Sequence, residues 1–173
     1  MDMATGRYVV MGVSGAGKTR VASLLAARLG GRFVEGDDLH SPEARARMAA
    51  GHPLSDEDRW PWLDRVGAAI AEDDAPVVAA CSALRRRYRN RLRAQAPALV
   101  MVHLDAHPDA VADRLRARRG HFMPPSLLGS QYATLEPLGA DELGVTVGAD
   151  RGIETVLEEV VKALFFLGLP RTV

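Results

Sequence analysis

The sequence predicts an α/β fold in which a parallel β-sheet is covered by helices on both faces. Apolar runs of strand length alternate with stretches of helical periodicity along all 173 residues. Residues 77–81 and 98–104 are apolar almost throughout, as expected for central strands that are buried on both faces. A composition of 47% hydrophobic and 25% charged residues is that of one ordinary globular domain.

The N-terminal part of the chain predicts two strands and two helices. Residues 8–11 are an apolar run that predicts the first strand, and a glycine-rich turn follows them. The next helix has leucines and a valine at helical spacing and ends at Gly30. Residues 33–34 predict a short second strand. A second helix is predicted over residues 42–50 and ends at Gly51.

The middle of the chain predicts a capped helix and the two central strands. Ser55 with Asp58 three residues later resembles a capping box, and an apolar stripe follows it. Residues 77–81 and 98–104 are the predicted central strands. Residues 84–95 lie between them and are expected to be helical.

The C-terminal part predicts three helices and a last strand. A helix is predicted over residues 108–119, because proline suits the first turn of a helix. A loop rich in glycine and proline follows at 120–125, then a short helix at 126–135 and a strand at 145–147. Residues 153–165 have the apolar periodicity of an amphipathic closing helix.

The charge balance gives little support for nucleic-acid binding. There are 22 Lys and Arg residues and 22 Asp and Glu residues, so the formal net charge is zero, whereas nucleic-acid binders are usually basic. Residues 85–93 contain six arginines and no acid. We expect most of these charges to form a solvated helix face, with about two of them functional. We therefore expect no nucleic-acid partner.

Cysteine content and hydropathy indicate in which cellular compartment the protein is expected. Cys81 is the single cysteine, which excludes an intrachain disulfide and a cysteine-based zinc site. Residues 1–7 lack the basic and apolar regions of an export signal. No apolar run approaches the roughly 18 residues that a membrane span requires. We expect a cytoplasmic protein without membrane association.

The glycine-rich turn matches the phosphate-binding motif G-x-x-x-x-G-K-[ST] and lies between a predicted strand and a predicted helix. Glycines let successive backbone N–H groups point at phosphate oxygens, and the helix N-terminus adds its positive dipole end. Lys18 is expected to reach the β- and γ-phosphates of ATP, and the Thr19 hydroxyl to bind Mg²⁺. The residues expected to hold the nucleotide are Gly12, Ser14, Gly15, Ala16, Gly17, Lys18 and Thr19.

An acidic segment follows the second predicted strand. The apolar run of residues 77–81 is followed by Ser82 and Ala83. It therefore lacks the carboxylate that often ends a strand beside the phosphate loop. Acids occur instead at residues 35–38. A carboxylate at this edge of a parallel sheet can accept the proton of an acceptor hydroxyl or hold a water on Mg²⁺. The alternative interpretation is a solvated acidic turn.

Five sequence blocks together resemble the gluconokinases over nearly the whole chain. The blocks are Gly12-Val-Ser-Gly-Ala-Gly-Lys-Thr19, Gly36-Asp-Asp-Leu-His40, Gly51-His-Pro-Leu-Ser-Asp-Glu-Asp-Arg59-Trp-Pro-Trp-Leu63, Cys81-Ser-Ala-Leu-Arg-Arg-Arg-Tyr-Arg89 and Arg119-Gly-His-Phe-Met-Pro-Pro125. The resemblance implies Mg²⁺-dependent transfer of the γ-phosphate of ATP to the 6-hydroxyl of D-gluconate. It also implies a five-stranded P-loop kinase fold, similar to shikimate and nucleoside-monophosphate kinases, and a homodimer in many members.

The resemblance also assigns regions and residues. It implies one domain over residues 1–173, with a substrate-binding insert at about 38–75 and a lid at about 118–135. Asp37 is implied to position and deprotonate the acceptor hydroxyl, and Arg118 to stack on adenine or neutralise phosphate charge. The residues implied to contact the sugar acid are Asp37, His40, Arg59, Ser82, Arg85, Arg89, His121 and Gln131. The family commonly has Lys where this chain has Arg85.

Two other functions remain open from the sequence. A kinase of the same fold could phosphorylate shikimate or a nucleotide, although shikimate kinases usually have a glycine triplet where this chain has residues 81–83. A nucleotide-binding switch without catalysis would need no acceptor. The sequence lacks the Asn-Lys-x-Asp motif by which many switches read guanine.

Overall fold

The computed structural model describes residues 6–72, 74–118 and 125–168. Five strands alternate with seven α-helices in these residues, and a short 3₁₀ helix, Gly36–Leu39, follows the second strand. The elements in chain order are β1 (Arg7–Met11), α1 (Lys18–Arg28), β2 (Arg32–Glu35), α2 (Pro42–Ala49), α3 (Asp56–Ala71), β3 (Val77–Ala80), α4 (Arg86–Gln95), β4 (Val100–Asp105), α5 (Pro108–Ala117), α6 (Pro125–Thr134), β5 (Gly144–Gly148) and α7 (Ile153–Phe166).

The five strands form one parallel sheet with the order β2-β3-β1-β4-β5. β1 lies at the centre, and the two apolar runs identified in the sequence pair with it on either side. Every residue of β3 is buried, as are the first five residues of β4. The prediction of a parallel sheet with these two runs as central strands is therefore confirmed.

Alternating residues of β1 separate the core into two layers. Tyr8 and Val10 pack with residues of α1 and α7 on one face. Val9 and Met11 pack with residues of α3 and α4 on the other face. This alternation follows from the two-residue period of a strand, and it confirms that helices cover both faces.

Local capping signals agree with the sequence. Ser55 and Asp58 form the complete capping box of α3, with each side chain accepting a backbone N–H from the other residue. The predicted helix over residues 84–95 begins at Arg86, because Arg85 is its extended N-cap residue. Residues 119–124 lie outside the described residues, so the N-terminal part of the expected lid is not described. None of the described helices is both long enough and apolar enough to cross a membrane.

The parallel topology places the ends of β1, β2 and β3 at the same edge of the sheet. The glycine-rich turn, the acidic 3₁₀ helix and the segment after Ala80 all follow these carboxyl ends. Ligand sites of open α/β sheets form at this edge. The expected functional residues of three separate sequence blocks are thereby brought together.

Candidate active site

The turn between β1 and α1 is shaped by glycines in conformations that other residues rarely adopt. Gly12, Gly15 and Gly17 have φ angles of +145°, +81° and +98°. A Cβ atom on Gly12 would lie 2.9 Å from the carbonyl oxygen of Leu104, so a side chain does not fit there. Among the described residues, no side chain caps α1 at Gly17. The first amides of α1 are therefore free to bind an anion.

Lys18 brings a positive charge to this turn. Its Nζ donates to the carbonyl oxygen of Val13 at 2.9 Å, which folds the side chain back over the loop. Burial lowers the pKa of Lys18, while the nearby carboxylates of Asp37 and Glu35 act in the opposite direction. The ammonium group is thus held between the phosphate loop and the acidic segment.

The acidic segment is joined to the phosphate loop through Glu35, the last residue of β2. The Thr19 hydroxyl donates to Glu35 Oε2 at 2.5 Å, and the backbone N–H of Asp37 donates to Glu35 Oε1 at 3.3 Å. Sequence reasoning selected Asp37 and Thr19 but did not single out Glu35. Its position as the last residue of a strand at the ligand edge was the available signal.

His40 follows the 3₁₀ helix and lies on an aromatic support. Its ring stacks on Trp62 of α3 with centroids 4.2 Å apart, and Trp62 Nε1 donates to the Gly36 carbonyl oxygen at 2.8 Å. Burial lowers the pKa of His40, which favours the neutral ring. His40 Nδ1 is buried and has no hydrogen-bond partner among the described residues. A polar atom in this state can accept a hydrogen bond from, or donate one to, a bound molecule.

Arg59 is half-buried at the start of α3 and contacts protein groups. Its Nη1 donates to the Leu54 carbonyl oxygen at 2.5 Å and to the Tyr88 hydroxyl at 3.3 Å. The Asp56 carboxylate is 4.0 Å away. Arg59 also lies over the Tyr88 ring, 5.4 Å from its centroid. These contacts fix the start of α3 relative to α4.

Ser82 and Arg85 follow β3 and are half-buried. The Ser82 carbonyl oxygen accepts the Gly12 N–H at 3.3 Å, so this segment lies directly against the phosphate loop. Arg85 Nε is buried and has no hydrogen-bond partner within the described part of the chain. A buried guanidinium N–H of this kind is suited to an anionic ligand.

The family resemblance implies that Arg89 contacts the sugar acid. Its side chain is 0% exposed. Both oxygens of Glu142 accept from its guanidinium at 2.8 Å, and backbone carbonyl oxygens accept from the remaining N–H groups. Its donors have acceptors inside the protein, so in this structure Arg89 joins protein segments, and its implied contact with the sugar acid stays a prediction.

Two of the three C-terminal candidates, Gln131 and Arg118, lie within the described residues. Gln131 of α6 accepts the backbone N–H of Ser14 through its Oε1 atom at 2.6 Å, so it contacts the phosphate loop directly. Arg118 follows α5 and is exposed. His121 lies outside the described residues, and its implied contact stays a prediction.

A cavity of about 410 Å³ adjoins the phosphate loop and includes Gly15, Gly17 and Arg118 in its lining. Arg114 and Arg151 also line it, and neither was selected from the sequence. The Arg114 guanidinium donates to carbonyl oxygens of the phosphate loop and of Ala149 after β5. This cavity is large enough for a nucleoside.

The phosphate loop and the half-buried Arg85 can bind anions, and a carboxylate of the acidic segment can accept the proton of a hydroxyl acceptor. Within the described residues, no three His, Cys, Asp or Glu side chains cluster as ligands for a metal ion.

Sequence comparison identifies the family of this chain. The chain is 48% identical to the gluconokinase of Gluconobacter oxydans (strain 621H) over 157 residues, which are 89% of this chain and 88% of that protein. The chain belongs to the gluconokinase family.

Other gluconokinases have comparable similarity. The thermosensitive gluconokinase of Escherichia coli (strain K12) is 39% identical, covering 94% of this chain and 89% of that protein. A crystal structure of a gluconokinase from Sinorhizobium meliloti 1021 superposes with a TM-score of 0.88 at 43% identity, covering 94% and 93% of the two chains. The family described as "AAA domain" matches residues 8–138. These findings confirm the resemblance inferred from the five sequence blocks.

More distant structures share the fold of this gluconokinase family member. Shikimate kinase from Aquifex aeolicus vf5 superposes with a TM-score of 0.61 at 16% identity, covering 94% of this chain and 98% of that chain. The similarity confirms the predicted P-loop kinase fold. At this identity it carries no information about the substrate.

Proposed function

We propose that this protein transfers the γ-phosphate of ATP to the 6-hydroxyl of D-gluconate, producing 6-phospho-D-gluconate and ADP. The observation that carries the proposal is the connection of Thr19, Glu35 and Asp37 beside Lys18. The connection supports the proposal because a carboxylate that could receive a proton lies close to the glycine-rich loop proposed to bind the phosphates. The activity named for the 48% identical relative is consistent with this arrangement.

Asp37 is the proposed proton acceptor. It is exposed in the 3₁₀ helix at the ligand edge of the sheet. As the oxygen of the acceptor hydroxyl bonds to the γ-phosphorus, the bond from that phosphorus to the bridging oxygen of ADP breaks, and the hydroxyl proton moves to Asp37. Lys18 and the amides of the phosphate loop stabilise the charge on the phosphate oxygens.

Thr19 and Glu35 are the proposed residues that hold Mg²⁺. Their oxygen atoms lie 2.5 Å apart, and hydroxyl and carboxylate oxygens are the ligand types that Mg²⁺ prefers. When bound, the ion neutralises charge on the phosphates of the nucleotide. Glu35 also holds the backbone of Asp37, so one carboxylate positions both the hydroxyl ligand and the proton acceptor.

The acceptor pocket is proposed between the 3₁₀ helix and the segment after β3. Ser82, Arg85 and His40 supply a hydroxyl, a guanidinium group and a neutral ring at this edge. Gluconate presents one carboxylate and a row of hydroxyls, which require one cation and several short polar groups. Arg85 is the cation proposed for the carboxylate, because its buried Nε has no acceptor among the described residues.

The nucleoside of ATP is proposed to bind in the cavity beside the phosphate loop. Arg118 lines this cavity and can stack on adenine or approach a phosphate. Arg114 connects the phosphate loop to the segment after β5, so it holds two walls of the cavity together. Gln131 contacts the loop at Ser14 and is proposed to act near the transferred phosphate rather than at the sugar carboxylate.

Substitution of Asp37 tests the proposal. We expect Asp37→Asn to lower turnover with gluconate by about a hundredfold or more, the usual scale for loss of a general base, while ATP binding persists. The neighbouring Asp38→Asn is the matched control, because Asp38 is equally exposed on the same 3₁₀ helix. Turnover is measured as ADP release with Mg-ATP and saturating gluconate.

An acceptor panel identifies the substrate in the same assay. We expect ADP release to be stimulated by gluconate and not by shikimate, AMP, CMP or buffer alone. Stimulation by another acceptor would assign a different kinase activity. No stimulation by any acceptor, with ATP still bound, would instead support a nucleotide-binding module. Full turnover of Asp37→Asn would remove Asp37 from the mechanism.

A further inference from the structure

Arg89 ties the candidate acceptor site to a distant loop. Its guanidinium bonds both carboxylate oxygens of Glu142, which precedes β5. The same guanidinium donates to the carbonyl oxygens of Ala83 at 3.1 Å and Leu84 at 3.3 Å. It also donates to the Glu136 carbonyl oxygen at 3.1 Å, after α6. One buried side chain therefore joins the segment after β3 to the segment between α6 and β5.

The segment after β3, residues 81–85, has a conformation that needs such support. Ala83 has a φ of +43° and is the one described non-glycine residue with a positive φ. Alanine adopts this region only when surrounding contacts impose it. Ala83 is 1% exposed, so its carbonyl oxygen depends on protein donors, and Arg89 Nη1 is the donor it has.

Residues 81–85 also carry the groups proposed to meet the acceptor. Ser82 bonds the phosphate loop through its carbonyl oxygen, which accepts the Gly12 N–H. Arg85 is the N-cap residue of α4, so the direction of its side chain follows from the backbone of Ala83 and Leu84. A small rotation of this turn would displace both side chains relative to the phosphates.

We propose that Arg89 is a positioning residue, whose guanidinium holds residues 81–85 so that Ser82 and Arg85 face the acceptor substrate. The inference rests on the proposed function, because it concerns the same acceptor site. It is an alternative to the direct contact with the sugar acid that the family resemblance implied for Arg89.

Glu136 supports the same turn from the solvent side. Its backbone N–H donates to the Leu84 carbonyl oxygen at 2.7 Å, and its Oε2 accepts the Arg86 N–H at 2.7 Å. The Glu136 side chain is exposed, unlike that of Arg89. Replacement by alanine would keep the backbone hydrogen bond to Leu84 and remove the acceptor of the Arg86 N–H, which directly follows the turn.

Arg89→Lys is the test variant. Lysine keeps the charge toward Glu142, but a single ammonium group cannot bond both carboxylate oxygens and two turn carbonyls together. We expect the gluconate KM to rise at least about tenfold and kcat to fall, because small displacements of a substrate-binding group have effects of this size. We expect the Kd for ATP to stay within about twofold.

Arg93→Lys is the matched control. Arg93 bonds the same Glu142 oxygen at 2.8 Å and does not contact the carbonyl oxygens of residues 81–85. Both variants weaken the Glu142 ion pair, but only Arg89→Lys loosens the turn. Gluconate KM and kcat are measured by ADP release. The value of kcat is divided by the fraction of ATP-binding protein, which titration calorimetry gives as the ATP stoichiometry.

The outcomes separate the two proposals. An unchanged gluconate KM in Arg89→Lys, or an equal change in Arg93→Lys, would show that Arg89 only stabilises the fold. If Arg89→Lys does not fold, Glu136→Ala tests whether the position of this turn controls gluconate binding, with a rise in the gluconate KM as the expected result. No rise would overturn the inference, because the inference requires that the turn position sets the gluconate KM. A wild-type protein without gluconate-dependent turnover would overturn the proposed function, and this inference with it.

Discussion

At the scale of single residues, Glu35 connects two of the proposed functional residues. It accepts the Thr19 hydroxyl with one oxygen and the Asp37 N–H with the other. β3 ends at Ala80 and is followed by Cys81 and Ser82. The end of β3 therefore has no carboxylate that could bind a metal ion. The carboxylate proposed for Mg²⁺, Glu35, lies instead at the end of β2, one strand farther from β1.

Glu35→Gln is expected to weaken Mg²⁺ binding more than ATP binding. Glutamine keeps the size of the side chain but removes its charge. The Mg²⁺ concentration for half-maximal activity should therefore rise about tenfold or more, which is a typical effect of mutating residues around a bound metal ion. The direct measurement is a Mn²⁺ titration of the ATP complex followed by electron paramagnetic resonance.

Asp38→Asn is the control for Glu35→Gln, since it removes one negative charge from the same segment. An equal loss of Mn²⁺ affinity in both variants would mean that general charge, rather than the position of Glu35, holds the ion.

At the scale of secondary-structure elements, α4 shows how the arginine run is used. Arg86, Arg87 and Arg91 have about half-exposed side chains, as expected for solvated charges. Five of the six arginines of residues 85–93 also pair with acids outside α4. These pairs are Arg86–Asp141, Arg87–Asp56, Arg89–Glu142, Arg91–Asp64 and Arg93–Glu142. The helix is thus fastened to α3 and to the segment before β5.

The ion pairs of α4 are expected to differ strongly in stability. Arg91→Ala should lower the free energy of unfolding only slightly, because both partners are almost half exposed and solvent screens the pair. Glu142→Ala should lower it by about 3–5 kcal/mol, because it leaves a buried arginine without its carboxylate. Urea denaturation of both variants compares them, and equal losses would contradict the assignment.

At the scale of the whole molecule, the parallel sheet collects residues that lie far apart in the sequence. The phosphate loop, the acids after β2 and the residues after β3 meet because all three strands end at one edge. Glu142 acts at the same scale, since it connects α4 to the loop before β5. The homodimer implied by the family resemblance stays a prediction.

The fold is expected to lose stability in acid through Glu142. Its hydrogen bonds to Arg89, despite burial, lower the pKa of Glu142 from 4.5 to about 2. A lowered folded-state pKa contributes stability that is complete above about pH 4.5 and is lost as the pH falls toward about 2. The free energy of unfolding of the wild-type protein should exceed that of Glu142→Gln by a constant amount near neutral pH.

That difference between the two proteins should shrink below about pH 4.5. Urea denaturation at a series of pH values measures it. Burial also lowers the pKa of His103, but this residue is common to both proteins, so its contribution cancels. A difference that stays constant down to about pH 3 would show that the ionisation of Glu142 is not responsible.

Local signals in the sequence were sufficient for the fold and for the phosphate site. Strand length, helical periodicity and the capping box of α3 are properties of consecutive residues, and the structure contains all of them. The phosphate loop is equally local, because its glycines and Lys18 act within eight consecutive positions. Five ordered blocks identified the family for the same reason.

The sequence by itself determined the parallel fold, the phosphate loop and the family of this protein, since each depends on residues that are neighbours in the chain. Only the tertiary structure decided which arginine side chain has its donors occupied inside the protein. Arg85 and Arg89 belong to one motif, yet Arg89 is buried against Glu142, 53 residues away. Such pairing depends on which distant elements pack together, and a single sequence carries no local signal for it.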